Sequence, residues 1–420
     1  MTPASLRLRA DRALLRSRGH SVRYLLASIT APSAPPRAGR MPVNISLVLD
    51  RSGSMQGENK FPLAVKAVEE ALSLLSVNDR YSLVAFDDCV DVLTHSTLAT
   101  AAAKTRTLRA LGQIAPRQST DLCSGWMHGC DELAEHLADE TISRVLLLTD
   151  GQANHGEVNH EVLAHHAAEL RRRGIATSTF GVGADFDERL LRDIATEGGG
   201  NFYFVQYAEQ IPDLVTSELG EALEVVIPSA TLTLTLPRGA EAEVMNRFRS
   251  RKSPGRTGIA VELGDLVSAQ ELDVVIRLKF PLGDLDETVT VSAALDGETS
   301  AVVEFMYASH SANDEQPRNA KVDREVARVF VGRARAEATE ANRRGDFDRA
   351  YKVLDGTARR ITEYAGEDVE LNALAMALRD EVPQYTEQTM APMAMKAAFF
   401  VAESSVRGRD VEGKARRSSQ

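Results

Sequence analysis

Val43-Asn44-Ile45-Ser46-Leu47-Val48-Leu49-Asp50-Arg51-Ser52-Gly53-Ser54 is the stretch from which the rest of the chain is read. An apolar run that ends in D-x-S-x-S is a buried strand delivering one carboxylate and two hydroxyls to a single point. Side chains two apart in an extended segment fall on the same side, so Asp50, Ser52 and Ser54 can converge on one small ion. Oxygen ligands with no thiolate or imidazole suit a hard cation, Mg²⁺ before Ca²⁺ or Mn²⁺. A second apolar run, Ser143 to Thr149, ends in Asp150-Gly151. Between the two lies Gln118-Ser119-Thr120-Asp121-Leu122, which offers a threonine hydroxyl.

These three segments resemble the metal-ion-dependent adhesion site of von Willebrand factor type A (vWA) domains, whose pattern is D-x-S-x-S, a lone Thr, then an Asp after a central strand. The match falls on Asp50, Ser52, Ser54, Thr120 and Asp150. It extends to Leu146 through Asn154 and to Thr179 through Asp187, and covers residues 41 to 226. One departure is Gln118-Ser119, where many members carry Gly-Gly before the threonine. The resemblance implies an α/β fold, a doubly wound and mostly parallel Rossmann-like sheet. It also implies that hydroxyls bind the ion directly while aspartates act through water. Three hydroxyls and two carboxylates leave octahedral Mg²⁺ at least one position for another ligand. A partner's Asp or Glu would fill it.

Composition narrows the function classes. Of 420 residues, 43% are hydrophobic and 26% charged, ordinary values for a globular protein with two or three domains. Three cysteines argue against a disulfide scaffold and for a reducing, cytoplasmic setting. No apolar stretch approaches the ~20 residues needed to span a bilayer. Net charge is −11, which disfavours nucleic acid as a partner. The first 40 residues nevertheless hold eight Arg and one Asp. Leu6-Arg7-Leu8-Arg9-Ala10 alternates with period two, so strands are expected there rather than a targeting peptide.

Five segments follow from the periodicity. Residues 1–40 read as strands plus a proline-rich linker. In 41–226 strands and helices alternate, as a parallel sheet covered on both faces requires. Residues 229–310 read as five antiparallel strands, too few for a closed sandwich. The N-terminal strands are expected to complete it, with the vWA segment inserted. Bacterial vWA proteins related to inter-alpha-trypsin inhibitor heavy chains look similar. A helical hairpin is expected over 318–403, and the polar, basic 404–420 reads as a disordered tail.

Other candidates have plainer readings. Arg51 and Met55, interleaved with the ligands, are expected to point away from the ion and shape its rim. Asp121 is either an acceptor beside the ion or a helix N-cap. His155, His160, His165 and His166 read as a solvated helix face rather than a zinc site, and Gly181-Val182-Gly183 as turn chemistry rather than a dinucleotide loop. Cys123 and Cys130, seven apart, read as structural thiols.

The expected function is a non-enzymatic adaptor that uses Mg²⁺ to capture an acidic residue of a protein partner. The family resemblance adds multi-protein assemblies as its setting. Two alternatives are a metal-assisted hydrolase using the same ion as Lewis acid, and an extracellular adhesion or channel-related protein.

Overall fold

A computed structural model of the protein describes residues 3–34, 40–117, 119–153, 155–253 and 257–417. The chain divides into two compact units: Ala34–Pro228, and Met1–Ser33 together with Ser229–Gln420.

The N-terminal segment forms β1 (Ser5–Ala10), β2 (Leu14–Arg16) and β3 (Ser21–Thr30). Two of its arginines are engaged as parts of this unit. Arg23 is buried and donates to the Leu14 and Val22 carbonyls and to Asn313 Oδ1. Arg16 pairs with Asp314 at 2.6 Å. Thus cationic side chains hold the N-terminal strands to residues 313–314, far away in sequence.

The inserted unit begins at β4 (Val43–Asp50), every residue of which is buried. After α1 (Lys60–Leu74) come β5 (Arg80–Phe86), β6 (Val90–Leu98), α2 (Ala101–Leu111), α3 (Leu122–Ala134) and β7 (Ile142–Thr149). Then follow α4 (His160–Arg172), β8 (Ile175–Val182), α5 (Glu188–Glu197), β9 (Gly199–Val205) and α6 (Ile211–Leu223). The sheet order is β6-β5-β4-β7-β8-β9, all parallel except the antiparallel edge strand β6. β6 pairs with β5 as far as Leu98, through a register shift.

Buried parallel strands need helices on both faces, and the period-two pleat sorts the contacts. Leu47 and Leu49 line a small apolar cavity with Ala64, Ala67 and Val68 of α1 and Val215 of α6. Ser46 and Val48 face α3, which comes in very close. A Cβ built on Gly129 would lie 2.3 Å from Val48 Cγ2, and one on Gly125 would lie 2.4 Å from the Phe86 ring. Two glycines one turn apart therefore let α3 sit against the sheet, which sets the height of the loop before it.

The remaining strands are β10 (Val225–Thr235), β11 (Glu241–Val244), β12 (Arg249–Lys252), β13 (Gly258–Val267), β14 (Glu271–Phe280), β15 (Thr288–Leu295) and β16 (Thr299–Ala308). They form two sheets with the N-terminal strands, β1-β3-β14-β11 and β12-β13-β10-β15-β16-β2. β3 pairs with β14 along its whole length, from Ser21 opposite Phe280 to Thr30 opposite Glu271. Phe280 of one sheet meets Phe305 of the other at 4.8 Å between ring centres. There are more strands here than the five the sequence suggests, because β11 and β12 are edge strands of four residues each, too short to establish a period.

Two expectations are corrected in the C-terminal part. Residues 318–403 are not a hairpin. After α7 (His310–Glu315) come α8 (Ala320–Arg343), α9 (Phe347–Ala365), α10 (Val369–Asp380), α11 (Val382–Thr386) and α12 (Pro392–Val406). The small-residue stripe Ala327, Val331, Ala334, Ala338 and Ala341 of α8 needs more cover than one helix supplies. α9 and α12 both pack on α8. Nor is 404–420 a disordered tail within the described residues. α12 runs to Val406, Asp410 caps a turn by accepting from Lys414 N, and Glu271 N donates to Arg416 O. A polar composition gave no sign that the end of β14 had an unpaired N–H to satisfy.

Candidate metal centre

The register of two neighbouring strands builds the site. β4 and β7 pair with Leu49 opposite Leu148, so Asp50 and Thr149 stand side by side at the carboxyl ends and Asp150 follows immediately. The chain passes from β4 to β5 on one side and to β7 on the other, so this is where the strand order reverses. In open α/β sheets ligands bind at such a point, beyond the strand ends.

All five residues named from the sequence gather here. Asp50 and Asp150 are fully buried, Ser52 and Thr120 nearly so, and Ser54 is exposed. Ser52 Oγ lies 3.1 Å from Ser54 Oγ, and Ser54 donates to Asp150 Oδ1 at 2.6 Å. Asp50 Oδ1 accepts from Ser52 N at 2.7 Å, and its Oδ2 accepts from the Thr149 hydroxyl. Thr120 joins through Gly151: a Cβ at that glycine would sit 3.1 Å from Thr120 Oγ1 and 3.8 Å from Asp50 Oδ2. The absence of a side chain at Gly151 therefore keeps a small space between oxygens of two separate loops. Burial, with repulsion from Asp150 as a minor addition, pushes the Asp50 carboxyl up to about 6 despite the hydrogen bonds from Thr149 and Ser52.

Four residues at the site have roles that the sequence does not disclose. In the sequence Thr149 is only the end of an apolar run, whereas its register beside Asp50 aims its hydroxyl at the carboxylate. Lys60, the first residue of α1, places Nζ 2.8 Å from Asp150 Oδ2 with its side chain only 10% exposed. Arg51 and Met55 are not on the rim: both are buried. Arg51 Nε lies 3.0 Å from Asp87 Oδ2, and the same guanidinium pairs with Asp91. Arg117 pairs with both aspartates too, and its N–H donates to Arg51 O. This cluster ties the Asp50 loop to the β5–β6 turn and to the segment leading to Thr120. The tie could not be read from sequence, because its members lie on three separate loops.

Neighbouring candidates resolve into structural roles. Asp121 is the N-cap of α3, accepting from Ser124 N at 3.0 Å and from its hydroxyl. Gln118, where the family pattern is broken, lies outside the described residues, as does Asn154. His160 lies 3.1 Å from Asp187 and His165 faces Glu169, so neither joins a cluster of ligands. Among the described residues one His, Cys, Asp or Glu trio has ligand atoms within 4.8 Å of one another: Asp87, Asp88 and Cys89. Asp87 is committed to Arg51, Arg117 and Cys89 N. Cys89, Cys123 and Cys130 are free thiols, and burial raises Cys130 far above the usual thiol range. Among the described residues no helix is long and apolar enough to cross a membrane.

Comparison with known proteins agrees with this geometry. Residues 44–217 match the von Willebrand factor type A domain family. An uncharacterised protein of Synechocystis sp. is 26% identical over 270 residues, covering 61% of this chain and 62% of its own length. Human inter-alpha-trypsin inhibitor heavy chain H4 is 26% identical over 173 residues, 40% of this chain and 18% of its own. The chain thus spans under two thirds of the length of these relatives. A solved von Willebrand factor type A protein from Catenulispora acidiphila superposes with a TM-score of 0.68, covering 92% of this chain and 97% of that one at 16% identity. The ArnB paralog VWA2 from Sulfolobus acidocaldarius gives 0.60, covering 96% and 99% at 16% identity. At such identities the likeness is one of fold.

Proposed function

Since residues 44–217 of this chain are a von Willebrand factor type A domain, we propose that the protein is an adaptor whose divalent ion captures an acidic side chain of a partner protein. The observation that carries the reading is the convergence of Asp50, Ser52, Ser54, Thr120 and Asp150 at one strand-end crevice, with Gly151 keeping space between them. The donor set fits a hard divalent cation: every candidate atom is oxygen, and two carboxylates supply the charge. Mg²⁺ is the ion of choice in this reading, with Ca²⁺ and Mn²⁺ as substitutes. The three hydroxyls and two carboxylates would hold it, and it would supply a Lewis-acidic position for a carboxylate.

The protein's own part is to hold those oxygens still. Thr149 and Ser52 N fix both Asp50 oxygens, and the Arg51 cluster fixes the loops. Such a site binds without making or breaking a covalent bond, so we assign no enzymatic step. A reducing, cytoplasmic setting goes with three free thiols in this reading. Isothermal calorimetry tests the metal: one Mg²⁺ should bind per chain, and Asp50→Ala or Asp150→Ala should abolish it while the circular dichroism spectrum is kept. Capture of a partner from the native cell should vanish in EDTA. Full capture by the Asp50→Ala protein in EDTA would overturn the reading.

A further inference from the structure

Lys60 stands where a helix disfavours it. It opens α1, and a cation in the first turn lies against the positive end of the helix dipole. Two residues before it, Glu58 and Asn59, hold left-handed backbone conformations with φ of 53° and 56°. Such conformations are sparsely populated for residues with a Cβ, and they persist where surrounding structure enforces them. Together they start α1 at Lys60 and turn its ammonium onto Asp150, a fully buried carboxylate whose other oxygen already accepts from Ser54.

Resting on the divalent-ion reading above, we propose that Lys60 is a built-in counter-charge that makes the ion site selective for anionic partners. Asp50 and Asp150 bring two negative charges, and Lys60 returns one positive. A divalent ion added to the two aspartates alone would give a neutral site, with little pull on a carboxylate. With Lys60 present the loaded site keeps one net positive charge among side chains that, Ser54 apart, are buried. Lys60 thus trades affinity for the ion against affinity for the carboxylate that completes it. Like charges a few ångströms apart at an effective dielectric near 20 interact strongly enough to change each affinity by roughly tenfold to a hundredfold.

The experiment titrates Mg²⁺, then acetate as the simplest carboxylate, into the wild type, Lys60→Met and Lys60→Arg by calorimetry. Lys60→Met is expected to bind Mg²⁺ about tenfold or more tightly and, once loaded, acetate about tenfold or more weakly. Lys60→Arg, which keeps the charge, should follow the wild type. Opposite movement of the two affinities separates this role from a merely structural one, which would weaken both. Equal Mg²⁺ affinity in folded Lys60→Met and wild type would overturn the proposal while leaving the metal site standing. Absence of Mg²⁺ binding by the wild type and both variants would remove the metal site itself. A second measurement needs no variant: the Lys60 ε-carbon resonance should shift on Mg²⁺ addition, and an unmoved resonance also overturns the proposal.

Discussion

Thr149 donates its hydroxyl to Asp50 Oδ2 across the β4–β7 boundary, joining two strand ends that are 99 residues apart in sequence. Asp50 has no exposure to water, and this bond joins those from Ser52 in holding the carboxylate in place. Thr149→Val keeps the shape and removes the donor. A hydrogen bond to a charged group contributes about 1.5–3 kcal/mol, and a loss of that order is expected in urea unfolding. Thr149→Ser, which restores a hydroxyl, should recover most of it.

Gly151→Ala probes the space between loops. The added methyl would press on Thr120 Oγ1 at 3.1 Å and approach Asp50 Oδ2. Mg²⁺ affinity measured by calorimetry should fall about tenfold, or about 1.4 kcal/mol. The thermal midpoint without metal should move by only a few degrees. A variant that bound Mg²⁺ as the wild type does would show that the ion sits elsewhere.

Asp79 gives a pH dependence away from the site. Burial by itself would raise its carboxyl. Hydrogen bonds from Arg40, from the N–H groups of Ser76 and Val43 and from the Ser76 hydroxyl outweigh that and hold it below the usual carboxylate range. A depressed folded-state value means that the stabilisation is fully present above the ordinary value of 3.8 and is lost as pH falls through the lower folded value. Asp79→Asn should therefore be destabilised at pH 7 by about 3–5 kcal/mol, the range for breaking a buried pair. The gap between variant and wild type should narrow below about pH 4 in guanidinium unfolding.

Leu26 tests the divided unit. It is fully buried with Val275, Val322, Val326 and Val329, which join β3 to β14 and α8. Leu26→Ala should cost about 2–5 kcal/mol in the unfolding of that unit. Mg²⁺ binding should be unchanged, because none of the five candidate ligands belongs to it. Loss of metal affinity together with that stability would show that the two units are thermodynamically coupled.

The parts of the fold that sequence discloses are those built by local periodicity. The fully apolar runs of β4 and β7 and the oxygen-bearing residues at their ends could be named because strand geometry puts alternate side chains together. Lys60 and Thr149 escaped notice for different reasons. Thr149 needed the register between two strands, and Lys60 needed the left-handed turn at Glu58 and Asn59. Arg51 looked like a surface residue because its partners, Asp87 and Asp91, lie beyond another strand. The final segment misled through its polarity. Arg416 serves with its backbone carbonyl, which composition does not encode.

Thr30 and Glu271 pair in the ladder of β3 and β14, although more than half the chain separates them. During synthesis at about 5–20 residues per second, β3 leaves the ribosome roughly 10–50 s before β14 exists to receive it. Over that interval all the strands from Val43 to Val205 have emerged and can close their own sheet. The inserted domain is then the first part of the nascent protein able to mature, while the leading strands wait as an open edge in need of protection from unwanted pairing.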